Sequence, residues 1–252
     1  MGLEHIAASL GDLKYIQQRC TELANGAKAL PIETSAETYA KFQQTLKQRK
    51  VDLANRGSEV GKRFEHVRFA DFSVTAENSD AYTAAVGVVT SNFTLGLAIF
   101  GAPGVGKSML AAAIVNEARA SGTAGVCISA LTLMLKFREK FNLEKSAPSE
   151  LNLIEKLANV PVLAIQDLGK EPYTAYSLQT LHAIMDARWE AKLPLIVTAN
   201  LDERAMNAHY SMMPKGGETM DRFTGPTMID RVMDMTGAPW QHISGVSRRG
   251  VA

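Results

Sequence analysis

Gly101-Ala102-Pro103-Gly104-Val105-Gly106-Lys107-Ser108 satisfies the pattern G-x-x-x-x-G-K-[ST] at every fixed position. On one side stands Leu95 to Phe100 (LGLAIF), a short apolar run that reads as a strand. On the other, Ser108 to Ala120 is alanine-rich and reads as an amphipathic helix. A strand, a glycine loop and a helix N-terminus together form the setting in which this pattern holds phosphate. Gly104 and Gly106 let the backbone curl so that successive N–H groups point at phosphate oxygens, and the helix adds its positive end. Lys107 is then placed for the β and γ phosphates of a nucleotide, and the Ser108 hydroxyl for Mg2+. ATP and Mg2+ are the ligands these eight residues imply.

Working outward, apolar strands and helices alternate. Gly125 to Ser129 (GVCIS) is a second strand, followed by helical stretches at Leu131 to Phe141 and Leu151 to Leu157, with a polar loop at Ser146 to Ser149. Val162 to Ile165 and Leu195 to Val197 read as buried strands on either side of a helix over Ser177 to Trp189. Such alternation predicts an α/β fold, a doubly wound parallel sheet with helices on both faces. Upstream, Leu3 to Leu23 and Thr34 to Asn55 have helical spacing, the second being polar and basic at Lys41, Lys47, Arg49 and Lys50. The composition turns polar again from Gly57 to Arg68. A small helical N-terminal region, 1–65, is therefore expected before a main domain at 66–252.

A phosphate-binding loop needs a carboxylate at the end of a neighbouring strand. Pro161 to Gly169 (PVLAIQDLG) supplies an apolar strand that delivers Gln166 and Asp167 to its C-terminal end, where open parallel sheets bind ligands. Two acids are common at such a place, and here a neutral amide precedes the single Asp167. Either Asp167 serves Mg2+ and the attacking water together, or turnover is slow. Pro194 to Asn200 (PLIVTAN) ends a further strand on Asn200, whose amide can hydrogen-bond a γ-phosphate or its attacking water.

Composition narrows the partners. Lys and Arg number 27 against 26 Asp and Glu, a net charge of +1, which excludes coating of nucleic acid or anionic membrane by bulk charge. With 46% apolar and 21% charged residues the chain can bury a core. Two cysteines, Cys20 and Cys127, without a C-x-x-C pair, argue against a disulfide framework or thiolate zinc site and fit a reducing cytoplasm. Neither a secretory leader nor an apolar run near the ~18 residues of a membrane span is expected.

The three motifs in this order resemble the DnaC/DnaI-type replicative helicase loaders and their IstB-like relatives among the AAA+ ATPases. The resemblance begins at Phe64 to Phe72 (FEHVRFADF) and continues through GAPGVGKS, LTLMLKFREKF, the Asp167 strand and LIVTANL. It implies an AAA+ ATPase domain in which Lys107, Asp167 and Asn200 serve ATP hydrolysis. Met228 to Asp234 (MIDRVMD) is similar to the helix bearing the family's arginine finger, which implies that role for Arg231, with Arg222 as a competitor. Gly245 to Arg249 (GVSRR) is similar to the terminal segment bearing the sensor-2 arginine, Arg249 or alternatively Arg248. A finger supplied by a neighbouring copy makes hydrolysis conditional on self-association.

The same resemblance implies single-stranded DNA near Lys136, Arg138 and Lys140, interleaved with Phe137 and Phe141. Basic groups track phosphates and aromatics stack on bases, although Phe137 and Phe141 equally suit a core. It also implies that the N-terminal helices grip a hexameric replicative helicase. Tyr210 to Thr219 looks like an inserted mobile loop. Three other functions remain open on the residues: a transposition-associated ATPase of the IstB kind, a small-molecule P-loop kinase, and a nucleotide switch that scarcely hydrolyses.

Overall fold

The structure, a computed structural model, describes residues 40, 44–45, 62–142, 150–216, 220–237 and 239–247. The chain divides into two compact units, Met1–Lys47 and Gln48–Ala252. The two helices expected upstream of residue 56 lie outside the described residues, except that Ala40, Gln44 and Thr45 are helical. The expected boundary after residue 65 falls inside the second unit. There the Asn116 side-chain amide donates to the carbonyls of Phe64 and Val67, both at 2.9 Å.

Among the described residues the second unit contains five strands and seven α-helices. In chain order these are α1 (Ser79–Thr90), β1 (Leu97–Gly101), α2 (Lys107–Ala120), β2 (Gly125–Ser129), α3 (Ala130–Asn142) and α4 (Glu150–Asn159). Then follow β3 (Val162–Leu168), α5 (Ala175–Glu190), β4 (Leu195–Ala199), α6 (Glu203–Tyr210), α7 (Thr224–Thr236) and β5 (Gln241–Ile243). The strands form one parallel sheet in the order β2-β3-β4-β1-β5. The doubly wound α/β fold expected from the alternation is the fold observed.

Strand side chains alternate between the two faces. Leu97, Ile99, Cys127, Val162, Ala164 and Ile196 pack under α1 and α2, while Ala98, Val126, Ile128, Leu163, Ile165 and Val197 pack under α3 to α7. Burial on both faces is why these strands read as nearly unbroken apolar runs. No described helix is long and apolar enough to cross a membrane.

One buried charge locks this architecture. Arg188 on α5 is fully buried, and its guanidinium donates to the carbonyls of Leu157, Ala158, Val160 and Pro194. The end of α4 is thereby capped and tied to the start of β4, since a helix's last carbonyls lack partners of their own. Burial pushes the Arg188 guanidinium down to about 9, still protonated at neutral pH.

Strand order decides what meets at the C-terminal edge. Because β4 lies between β1 and β3, Asn200, just past β4, sits between the glycine loop that follows β1 and the acidic end of β3. β5 closes the other flank of β1 and touches Gly101 so closely that a Cβ there would lie 2.1 Å from the Ile243 carbonyl oxygen.

Candidate nucleotide-binding site

The loop after β1 turns directly into α2. Gly106 adopts φ 113°, a left-handed conformation that costs glycine little, and the chain enters the helix at Lys107. Lys107 is only 4% exposed. Its Nζ donates to the carbonyls of Gly101 and Ala102, each at 2.8 Å, and to Asn200 Oδ1 at 3.1 Å. Two of the sequence-predicted residues, 93 positions apart, thus share a hydrogen bond. The open pocket over the loop is lined by Pro103, Gly104, Gly106, Lys107, Ser108 and Met109, with Asp167 and Asn200 from the neighbouring strands. Arg63, Phe64 and Lys170 complete its wall.

The end of β3 is built differently. Its register with β4 shifts between Ile165 and Leu168, so Gln166 and Asp167 leave the regular ladder. Gln166 turns into the fold: its side-chain NH2 donates to the Ser108 carbonyl at 3.1 Å and to Cys127 Sγ at 3.0 Å. Burial pushes the Cys127 thiol up to about 12, so it stays a neutral packing group. Gln166 therefore cross-links β2, β3 and the first turn of α2.

Asp167 sits at φ 56°, strained for a residue with a side chain, and its N–H donates to Thr198 Oγ1 at 3.0 Å. Its carboxylate pairs with Lys170 Nζ at 2.8 Å. The loop carrying both is pinned by Glu171, which is 5% exposed. Glu171 accepts from Gly169 N–H at 2.9 Å and from the Tyr210 hydroxyl. Burial, then the Glu171 carboxylate, drives the Tyr210 phenol well above its ordinary 10, so it remains a donor.

Other sequence-predicted residues lie away from this pocket. Arg231 on α7 ion-pairs with Asp186 on α5, lies 3.2 Å from His182 Nε2 and stacks over Trp189 with 5.3 Å to the ring centroid. It does not line the nucleotide pocket of its own chain. Arg222 is exposed beside α7, over the Phe223 ring. Arg248 and Arg249 lie outside the described residues. On α3, Arg138 is exposed and Lys136 half-buried, while the side chain of Lys140 is outside the described set. Phe137 is fully buried in the core, which removes it from any base-stacking role. The expected mobile insertion is partly stapled down: the Tyr173 hydroxyl donates to the Tyr210 and Met212 carbonyls, and Ala175 N–H to the Lys215 carbonyl at 3.0 Å.

Three polar residues of the site escaped the sequence reading. Arg63 precedes the resembling segment by one position and has no motif. Lys170 and Glu171 follow a recognised acid, and their signal is only the charge pattern D-x-x-K-E after a strand.

The sequence model of the IstB-like ATP binding protein family matches residues 40–231. The replicative helicase loader DnaC of Escherichia coli strain K12 is 25% identical over 211 residues, covering 77% of this chain and 84% of that protein. The replicative helicase loader DnaI of Bacillus subtilis strain 168 is 22% identical, covering 61% of this chain and 47% of that protein. Among solved structures, DnaI superposes with TM-score 0.59 at 21% identity over 74% of this chain and 96% of that one. The DnaC helicase loader superposes with TM-score 0.55 at 19% identity over 73% and 100%. The phosphate loop, its strand order and the matched length lead to one assignment: the chain belongs to the IstB-like ATP-binding protein family.

Proposed function

We propose that this protein is an ATP-dependent loader that places a hexameric replicative helicase on single-stranded DNA. The observation that carries the nucleotide half of the proposal is the Lys107–Asn200 bond at the mouth of the glycine loop. Loader identity is supported by similarity to DnaC across most of that protein's length.

Loop N–H groups and Lys107 bind the β and γ phosphates, and Asn200 reads the γ-phosphate end. Asp167, the one carboxylate among the described residues lining the pocket, orients the attacking water with Lys170 still paired to it. A divalent cation is the usual companion of a bound nucleotide, and the sequence reading gave it Ser108 and Asp167. The residues present do not fit a cation held by protein carboxylates: one carboxylate is neutralised by an ammonium and the neighbouring amide points into the fold. Hydrolysis is correspondingly slow, and completion of the site by an arginine from a neighbouring copy ties it to assembly. Arg222, exposed beside α7, can reach another chain without breaking an ion pair, whereas Arg231 must first leave Asp186.

Residues 1–65 serve as the helicase-binding region, and Lys136 with Arg138 and Lys140 as the basic strip for DNA. Co-purification with the replicative helicase, followed by a loading assay on single-stranded DNA with and without ATP, tests the proposal. Capture of a transposase in place of the helicase would move the assignment to a transposition ATPase.

A further inference from the structure

The nucleotide pocket holds an uncommon balance of charge. Its wall presents Lys107, Lys170 and Arg63 against one carboxylate, Asp167. The position before Asp167, where a second acid would help to hold a divalent cation, is occupied by an amide committed to the Ser108 carbonyl and Cys127. Lys170 is not a loosely attached surface lysine. Its backbone N–H donates to the Asp167 carbonyl at 3.1 Å, and the next residue is the buried Glu171, fixed by Gly169 and Tyr210. The loop thus delivers an ammonium to the pocket on a rigid base. The side chain keeps 43% of its surface exposed while its Nζ pairs with Asp167.

From these placements we infer that Lys170 supplies the positive charge that a divalent cation ordinarily supplies at the phosphate tail, so that ATP is bound without a required metal ion. The inference rests on the nucleotide-binding reading given above. With Lys170 in place, a triphosphate meets Lys107, Arg63 and a carboxylate that Lys170 neutralises. Without it, the phosphates face a bare Asp167, and like charges a few ångströms apart repel unless a cation intervenes. One substitution therefore removes the positive charge that offsets Asp167.

The test is equilibrium binding of a fluorescent, non-hydrolysable ATP analogue to the full chain, in excess Mg2+ and in EDTA. Wild type, Lys170→Met, Lys170→Arg and, as a control, Lys107→Ala are compared, with circular dichroism to verify folding. Wild-type affinity is expected to change by less than about threefold on removal of Mg2+, and that of Lys170→Met to fall by about tenfold or more. Lys170→Arg, which keeps the charge, is expected to behave as wild type. A wild-type protein that loses about tenfold affinity in EDTA, or a Lys170→Met variant indistinguishable from it, overturns the inference while leaving nucleotide binding intact. If no folded variant binds the analogue under either condition, the nucleotide reading itself fails and this inference with it.

Discussion

Two strand ends form the site, and they are made in opposite ways. After β1 the work is done by backbone: glycine conformations and a helix N-terminus aim N–H groups outward, and one lysine is added. After β3 it is done by side chains, and nearly every one is committed to another protein group: Gln166 to Ser108 and Cys127, Asp167 to Lys170, Glu171 to Tyr210. A backbone device survives only if its glycines and its setting are kept, so it leaves a readable signature. A side-chain device can be rewired residue by residue, so it leaves a weaker one.

The contrast breaks first at Lys107. Lys107→Ala is expected to weaken ATP binding by about a thousandfold, since it removes a desolvated ammonium from the floor of the pocket. Isothermal titration showing an unchanged affinity would mean that the β1 edge is not the phosphate site. Next in size, Glu171→Ala orphans Gly169 N–H and the buried Tyr210 hydroxyl, with an expected loss of about 2–3 kcal/mol of stability in urea denaturation. A loss near zero would show that the β3 loop is not pinned as described.

Gln166→Asp probes the side-chain device itself. It places a carboxylate beside the Ser108 carbonyl, an arrangement that a bound cation relieves. Mg2+-dependent ATP turnover is expected to rise about tenfold, an effect of ~1.4 kcal/mol on the barrier. Unchanged turnover would locate the limit elsewhere. The smallest effect concerns the α5–α7 cluster. Burial, then Arg231, lowers the His182 imidazole below its ordinary 6.5, with Asp186 opposing. The unfolded chain takes up that proton at higher pH than the folded one, so this contribution is intact above 6.5 and is lost as pH falls below it. His182→Asn is expected to flatten the acid side of the melting-temperature profile, and an identical slope would remove His182 from the account.

Much of this was legible in the sequence because parallel strands buried on both faces must be apolar throughout. GVCIS was read as a strand over the residues observed for β2, and the strand reading at Val162 to Ile165 stops short of β3 only because Gln166 and Asp167 are polar. β5 escaped: three residues, Gln241–Ile243, pair with β1 through backbone and carry no apolar pattern. Helix α1 escaped for another reason: its buried Ala81, Ala85 and Val88 keep helical spacing but are small, and the apolar Tyr82, Ala84 and Val89 between and beside them blur the pattern. In the site, Lys107 and Asn200 were found where motifs placed them. Lys170 and Glu171 were not, because their importance comes from a loop conformation set by Tyr210 on another helix. Phe137 was left between base stacking and the core by its spacing, and its full burial settles it for the core.

The most direct test of the central proposal is helicase loading on a single-stranded DNA circle, with wild-type protein and with Lys107→Ala, each with and without ATP. The account expects the wild type to form a complex with the replicative helicase and to load it only with ATP, and the variant to fail. Loading by both proteins regardless of ATP, or no association between the wild type and the helicase, would contradict it.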